Sequence, residues 1–238
     1  FPVKSRSILL IIYIILLQKV HLLIHKSKIY NILQLYSLFI TMVKTNSMFI
    51  ELGSSLPNAE MLNVNLKEYK KFDFSHLDER HLFVMFICAH CPFVKHIETH
   101  ISQLTKDIEN DIQTIAISSN DIKTHPGDSP ENLKMQAEIN GWRFPYLFDE
   151  DQSFAKKLKA ACTPDFYLFT NNGNRNFSLF YHGQLDNSRP SNNVPVTGHD
   201  LISASKAMVG EKDYPSKQLP SLGCNIKWTP GNEPEWFK

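Results

Sequence analysis

The chain has 238 residues, 42% apolar, 21% charged and 11% aromatic. It can therefore build a sizeable core as one domain or two small ones, and the composition excludes a disordered chain or a coiled coil. The formal net charge of +1 hides an uneven distribution. Residues 1–41 hold five basic side chains (Lys4, Arg6, Lys19, Lys26, Lys28) and no acid, whereas residues 42–238 carry 20 basic and 24 acidic ones. A mildly acidic body offers no phosphate-binding footprint, so nucleic acid is not an expected partner. Four cysteines are too few for a disulfide scaffold, and any thiol chemistry must come from their spacing.

Residues 8–17 (ILLIIYIILL) form a ten-residue apolar run, about half of what a bilayer span needs. Its length suits a signal-peptide core, yet bulky and charged residues follow where a small-residue cleavage site belongs. The chain begins at Phe1, and Met42 opens an ordinary polar segment. Residues 1–41 are accordingly read as a basic, apolar leader outside the native protein, which leaves a cytoplasmic protein with no membrane partner. A genuine anchor or export signal is the alternative.

Beyond Met42, residues 53–65 read as an irregular entry with a short strand. Residues 81–87 (HLFVMFI) are a continuous apolar run of strand length, as in a strand buried on both faces. Pro92 suits a first helical turn. Val94, Ile97, Ile101, Leu104 and Ile108 then recur at helical spacing. Residues 113–118 give a second strand, parallel to the first because a helix joins them. A loop over 121–130 precedes a helix opened by Ser129 and ended at Asn140-Gly141. A strand at 144–148 and a short helix at 152–160 follow. Strands at 165–170 and 177–182 flank Asn171-Asn172-Gly173-Asn174, a hairpin turn. A helix is predicted at 199–209, and the proline-rich tail from Tyr214 reads as an extended strap. The fold class is α/β, a central mixed sheet flanked by helices in a single domain over 42–214, with residues 215–238 as the strap.

Cys88-Ala89-His90-Cys91 is C-x-x-C placed between a strand end and a helix start, a context that makes it a redox signal. Helix N-terminal amides favour a thiolate there. Cys88 is the expected exposed attacking thiol, Cys91 the resolving one, and His90 the group that steadies the Cys88 thiolate. Half a zinc site and two inert buried thiols are the competing readings, and no second C-x-x-C or C-x-x-H pair completes a zinc set.

These residues carry a resemblance. CAHCPFVK (88–95), IAISSND (115–121), FPYLFDED (144–151), ACTPDFYLF (161–169) and PSLGCNIKWTPGNEP (220–234) together resemble the thioredoxin-fold redoxins, specifically the peroxiredoxin-like proteins of the alkyl hydroperoxide reductase/thiol-specific antioxidant group. The resemblance implies a thioredoxin-like fold and a thiol–disulfide oxidoreductase of the Cys88/Cys91 pair in redox homeostasis. Thiol or disulfide proteins and an electron donor would be its partners, with no cofactor and no metal. It further implies a cis Thr163-Pro164 facing the dithiol, its backbone open for strand-like pairing with a substrate. A second activity is a thiol peroxidase, whose peroxide-reacting Cys falls at Cys91. Here Cys88 stands where that group has Thr, Val84 where it has Pro, and Arg143 is the nearest candidate for its Arg. The buried acid that thioredoxin keeps six residues before its first Cys is Leu82 in this chain. A third reading is a copper-binding chaperone using Cys88, Cys91 and a nearby His, since thiolates are soft ligands, although copper-delivery relatives of the fold space the pair by three residues.

Four further sets of residues carry weaker signals. Cys162 reads as a small core residue rather than a third redox thiol. Cys224 is a resolving thiol by analogy alone. His96 and His100, four apart, read as a solvated helix face rather than a metal pair, with Lys95 beside them. Trp142, Trp228 and Trp236 read as packing anchors.

Overall fold

The apolar run at 81–87 becomes the middle of the molecule. In the computed structural model, which describes residues 44–210 and 218–237, the chain runs in order through β1 (Lys44–Asn46), β2 (Glu60–Asn63), β3 (Lys70–Asp73), β4 (His81–Phe86), α1 (Pro92–Ile108), β5 (Ile112–Ser118), α2 (Pro130–Asn140), β6 (Tyr146–Phe148), α3 (Ser153–Lys157), β7 (Cys162–Thr163), β8 (Asp165–Asn171), β9 (Phe177–Gly183), α4 (His199–Val209) and β10 (Leu222–Asn225). The leader 1–41 and the first part of the strap, up to residue 217, lie outside the described residues. No helix among those described is long and apolar enough to cross a membrane.

Seven strands form one mixed sheet in the order β3-β2-β6-β5-β4-β8-β9. β4 pairs parallel with β5, from His81 opposite Ile112 to Phe86 opposite Ile117, and antiparallel with β8. That central place explains the sequence pattern: Leu82 through Phe86 are all fully buried, because neither face of β4 meets water. Phe86, Phe154 and Tyr167 pack their rings on one side, within a cluster that also takes Leu82, Val84, Ile117 and Leu147. On α1 the predicted stripe faces the sheet, with Val94, Ile97, Ile101 and Leu104 buried. Ser129 caps α2 by accepting from the Asn132 amide, and Gly141 ends that helix at φ 65°, the left-handed region that a glycine enters without strain.

Besides β10, which the sequence offers only as an extended strap, three strands were not legible. β3 is KKFD, polar and half-exposed, and becomes a strand only because β2 pairs with it. β1 and β7 are three and two residues long, too short for any periodicity. Both pair with β10, giving a second sheet in the order β1-β10-β7. The strap is thus part of a sheet rather than merely extended, and that sheet brings the tail to the functional site.

Candidate active site

The dithiol loop leaves the C-terminal end of β4 and enters α1, with Cys91 at the N-cap and Pro92 in the first turn. Thr163-Pro164, the cis peptide between β7 and β8, lies across from it. The Cys88 Sγ is 3.5 Å from the Thr163 hydroxyl, and the Cys91 Sγ is 3.2 Å from the Thr163 carbonyl oxygen. The structure therefore brings Cys88, Cys91, His90, Thr163 and Pro164 to one place.

Two expectations change. Cys88 is fully buried, not an exposed attacking thiol; Cys91 is equally buried, and His90 is the exposed member of the loop. Burial pushes the Cys88 thiol well above its ordinary value, and its hydrogen bond to Cys91 and the Asp128 charge push the same way. Burial also acts against a Cys91 thiolate, but donors from Cys224, Cys88 and Thr163 outweigh it and hold Cys91 well below the ordinary thiol value. In its protonated form Cys91 can give its S–H to the Thr163 carbonyl. Of the pair, Cys91, at the helix start, is the thiol held low.

The second change concerns docking. The edge of β7 beside the cis-proline is not open, because β10 pairs with it antiparallel, Cys224 opposite Thr163 and Asn225 opposite Cys162. The chain's own tail occupies the place where a substrate strand was expected. Gly223 makes this approach sterically feasible: a Cβ there would fall 2.0 Å from the Thr163 carbonyl oxygen and 3.1 Å from the Pro164 nitrogen.

The residue that sequence reasoning missed is Asp128. It is fully buried, and one carboxylate oxygen accepts from the amides of Ala89 (2.8 Å) and His90 (3.0 Å), the two residues between the cysteines. The other oxygen takes the His90 Nδ1 at 2.5 Å and the Asn120 side-chain amide at 2.7 Å. Burial alone would raise the Asp128 carboxyl, but the His90 contact overrides it and holds it below its ordinary value. The same contact raises His90 above its ordinary 6.5. The neighbouring ring of His125, 5.5 Å from that of His90, is lowered by burial and by the His90 charge. Of the two rings, His90 is therefore the one whose protonated form is favoured. Asp128 supplies a buried acid from a loop rather than from the strand position of Leu82. Its position 38 residues from His90 left no spacing signal. Gln136 was missed for the same reason. Its amide donates to the Cys88 carbonyl at 3.2 Å, and the Tyr146 hydroxyl donates to its oxygen at 3.0 Å.

The other residues sort simply. Cys162 is buried beside the cis peptide, its thiol 3.8 Å from the Pro164 carbonyl, and burial raises it well above the ordinary value. His96 and His100 are not a solvated face: His96 Nε2 lies 2.7 Å from the Ser188 hydroxyl, and His100 Nε2 abuts Gly198. Lys95 is exposed and pairs with Glu98 at 2.8 Å. Trp142 stacks on Phe144, and Trp228 packs edge-on against Trp236. Arg143 lines a surface cavity with Phe72, Trp142 and Pro145, to which none of the four cysteines contributes. Ligand atoms of Cys88, His90 and Asp128 lie within 4.8 Å of one another. That trio omits Cys91, and both Asp128 oxygens already accept two donors each.

The AhpC/TSA family model matches residues 52–174. An uncharacterised conserved protein from Geobacillus kaustophilus is 42% identical, with 80% of this chain and 98% of that one covered and a TM-score of 0.72. A hypothetical protein from Sinorhizobium meliloti 1021 is 38% identical, with 79% and 100% covered and a TM-score of 0.72. A putative thiol:disulfide interchange protein DsbE from Chlorobium tepidum shares the fold at 15% identity, with 68% and 100% covered and a TM-score of 0.51. No curated protein matches. The α/β, thioredoxin-like class expected from the sequence holds.

Proposed function

We propose that this chain, which belongs to the AhpC/TSA family, is a thiol–disulfide oxidoreductase that cycles a Cys88/Cys91 dithiol with protein or small thiol partners. A thiol redox role is the coarse statement that the family supports; the residue roles are our reading. One observation carries it: the two sulfurs, three residues apart, both lie against Thr163, one within reach of its hydroxyl and the other of its carbonyl.

The roles follow from electrostatics. Cys91, the depressed thiol, attacks a partner disulfide; its thiolate is both the better nucleophile at neutral pH and the sulfur at the helix start. The partner leaves as one thiolate, and a Cys91–partner mixed disulfide remains. Cys88, whose raised value keeps it protonated until then, loses its proton to the departing thiolate and attacks Cys91. The second partner thiol is released, and the Cys88–Cys91 disulfide forms. His90, protonated on Asp128 and 3.8 Å from the Cys88 Sγ through Nδ1, stabilises negative charge on that sulfur as it develops.

The test is mild oxidation with oxidised glutathione followed by alkylation and peptide mapping. A linked peptide carrying Cys88 and Cys91 is expected. Two fully alkylated thiols would end this reading. A second reading is favoured by the same depressed Cys91, a thiol peroxidase; peroxide consumption that survives Cys88→Ala and vanishes in Cys91→Ala would select it.

A further inference from the structure

Three thiols meet at this site, not two. Cys224 sits on β10 directly opposite Thr163, and residues opposite one another in an antiparallel pair send their side chains to the same face, with Cβ atoms about 4.5–5.5 Å apart. The Thr163 side chain faces the dithiol, its hydroxyl 3.5 Å from Cys88. The Cys224 side chain shares that face, and its thiol hydrogen-bonds with Cys91. The strap holds it there from both sides. Before it, Ser221 donates to the Gly183 carbonyl at 2.8 Å and exchanges bonds of 2.9 Å with Ser47. After it, the Ile226 amide donates to the Ala161 carbonyl (3.0 Å) and the Lys227 amide to the Asn120 side-chain oxygen (2.8 Å). Asn120 is the residue that also binds Asp128, so one side chain ties the strap to the cradle of the dithiol loop.

Strand addition beside a redox pair is how an extended partner would present its sulfur. Here the added strand belongs to the chain itself and carries a cysteine at the presenting position. We propose that β10 is a resident partner strand and that Cys224 is a third redox thiol, closing a reversible disulfide on Cys91. This rests on the reading of Cys91 as the attacking thiol.

The step balances without a further reactant. The Cys91 thiolate attacks a partner disulfide, the partner's S–S bond breaks, and one partner thiolate leaves. Cys224 passes its proton to that thiolate and attacks the Cys91 sulfur. The Cys91–Cys224 bond forms, and the second partner sulfur leaves as a thiolate. The two electrons lost by Cys91 and Cys224 reduce the partner disulfide to its two thiols. Where Cys88–Cys91 has formed first, Cys224 attacks Cys91, expels Cys88 and hands it the proton, an exchange with no net oxidation.

The test uses the full chain with Cys88→Ser, which removes the Cys88–Cys91 disulfide from consideration and leaves the other two sulfurs. After incubation with oxidised glutathione, alkylation and digestion, a linked peptide bearing Cys91 and Cys224 is expected, forming at a rate independent of protein concentration. A persistent glutathione mixed disulfide on Cys91 beside an alkylated Cys224, or two alkylated thiols, overturns the proposal. Gly223→Ala supplies the second arm and touches no sulfur. Its Cβ displaces β10 from Thr163, so the Cys91–Cys224 linkage should slow by about tenfold or more; an unchanged rate overturns the role of the strand. Mapping the wild-type chain separates the failures, because loss of the Cys88–Cys91 peptide ends the exchange reading, whereas loss of the Cys91–Cys224 peptide alone ends this one.

Discussion

Asp128→Asn is the most informative single change to the cradle. The new side chain keeps the shape but exchanges one acceptor oxygen for a donor NH2. If the remaining oxygen keeps the Ala89 and His90 amides, the NH2 group faces His90 Nδ1 and the Asn120 amide, both of them donors. Two hydrogen bonds to a charged acceptor are lost, each worth about 1.5–3 kcal/mol. The His90 side chain is a third exposed, so water refills part of its side. The discounted loss is about 2–4 kcal/mol, which for a body of this size lowers Tm by about 5–12 °C. The loss depends on pH with a definite sign. His90 is raised, so its share is present below 6.5 and fades as pH rises through the higher folded value. Asp128 is lowered, so its share is present above the ordinary 3.8 and fades as pH falls through the lower folded value. His125, stacked on His90, is lowered by burial and by the His90 charge, so its protonated form is the less favoured of the two rings. The gap in Tm between wild type and variant, followed by thermal unfolding at pH 5.5 and pH 9, should be wider at pH 5.5. An equal Tm, or a gap wider at pH 9, would refute the reasoning.

Three further outcomes are expected. Thiolate absorbance near 240 nm should show a step below the ordinary thiol value of 9.0 that disappears in Cys91→Ala and moves up in Cys88→Ala and Cys224→Ala, since both remove donors to Cys91; a single step at the ordinary value in wild type would contradict this. Ser129→Ala should cost about 0.5–1 kcal/mol in chemical denaturation, the lower range for a cap whose bond to the Asn132 amide is long, at 3.5 Å. Phe86→Ala should cost about 3–5 kcal/mol, since that ring is fully buried between Phe154 and Tyr167; a loss under 1 kcal/mol would mean the sheet centre repacks.

What the sequence determined by itself is the part written in local patterns. The continuous apolar run of β4, the helical stripe of α1 and the Ser129 and Gly141 boundaries of α2 each need only a few neighbouring residues to be read. The C-x-x-C at a strand–helix junction was legible for the same reason, and with it the place of the candidate site. Tertiary structure decided everything that depends on which distant segments meet. Asp128 belongs to a loop that looks like any other until it closes on the amides of Ala89 and His90. β7 is two residues long, and no pattern announces that β10 will pair with it. The proposed reversal of thiol roles likewise rests on tertiary neighbours: helix position alone says that a thiolate is favoured near the first turn, whereas burial and the donors around each sulfur distinguish the two cysteines. Sequence spacing fixes what neighbours along the chain can do, whereas a charge or a sulfur responds to neighbours in space.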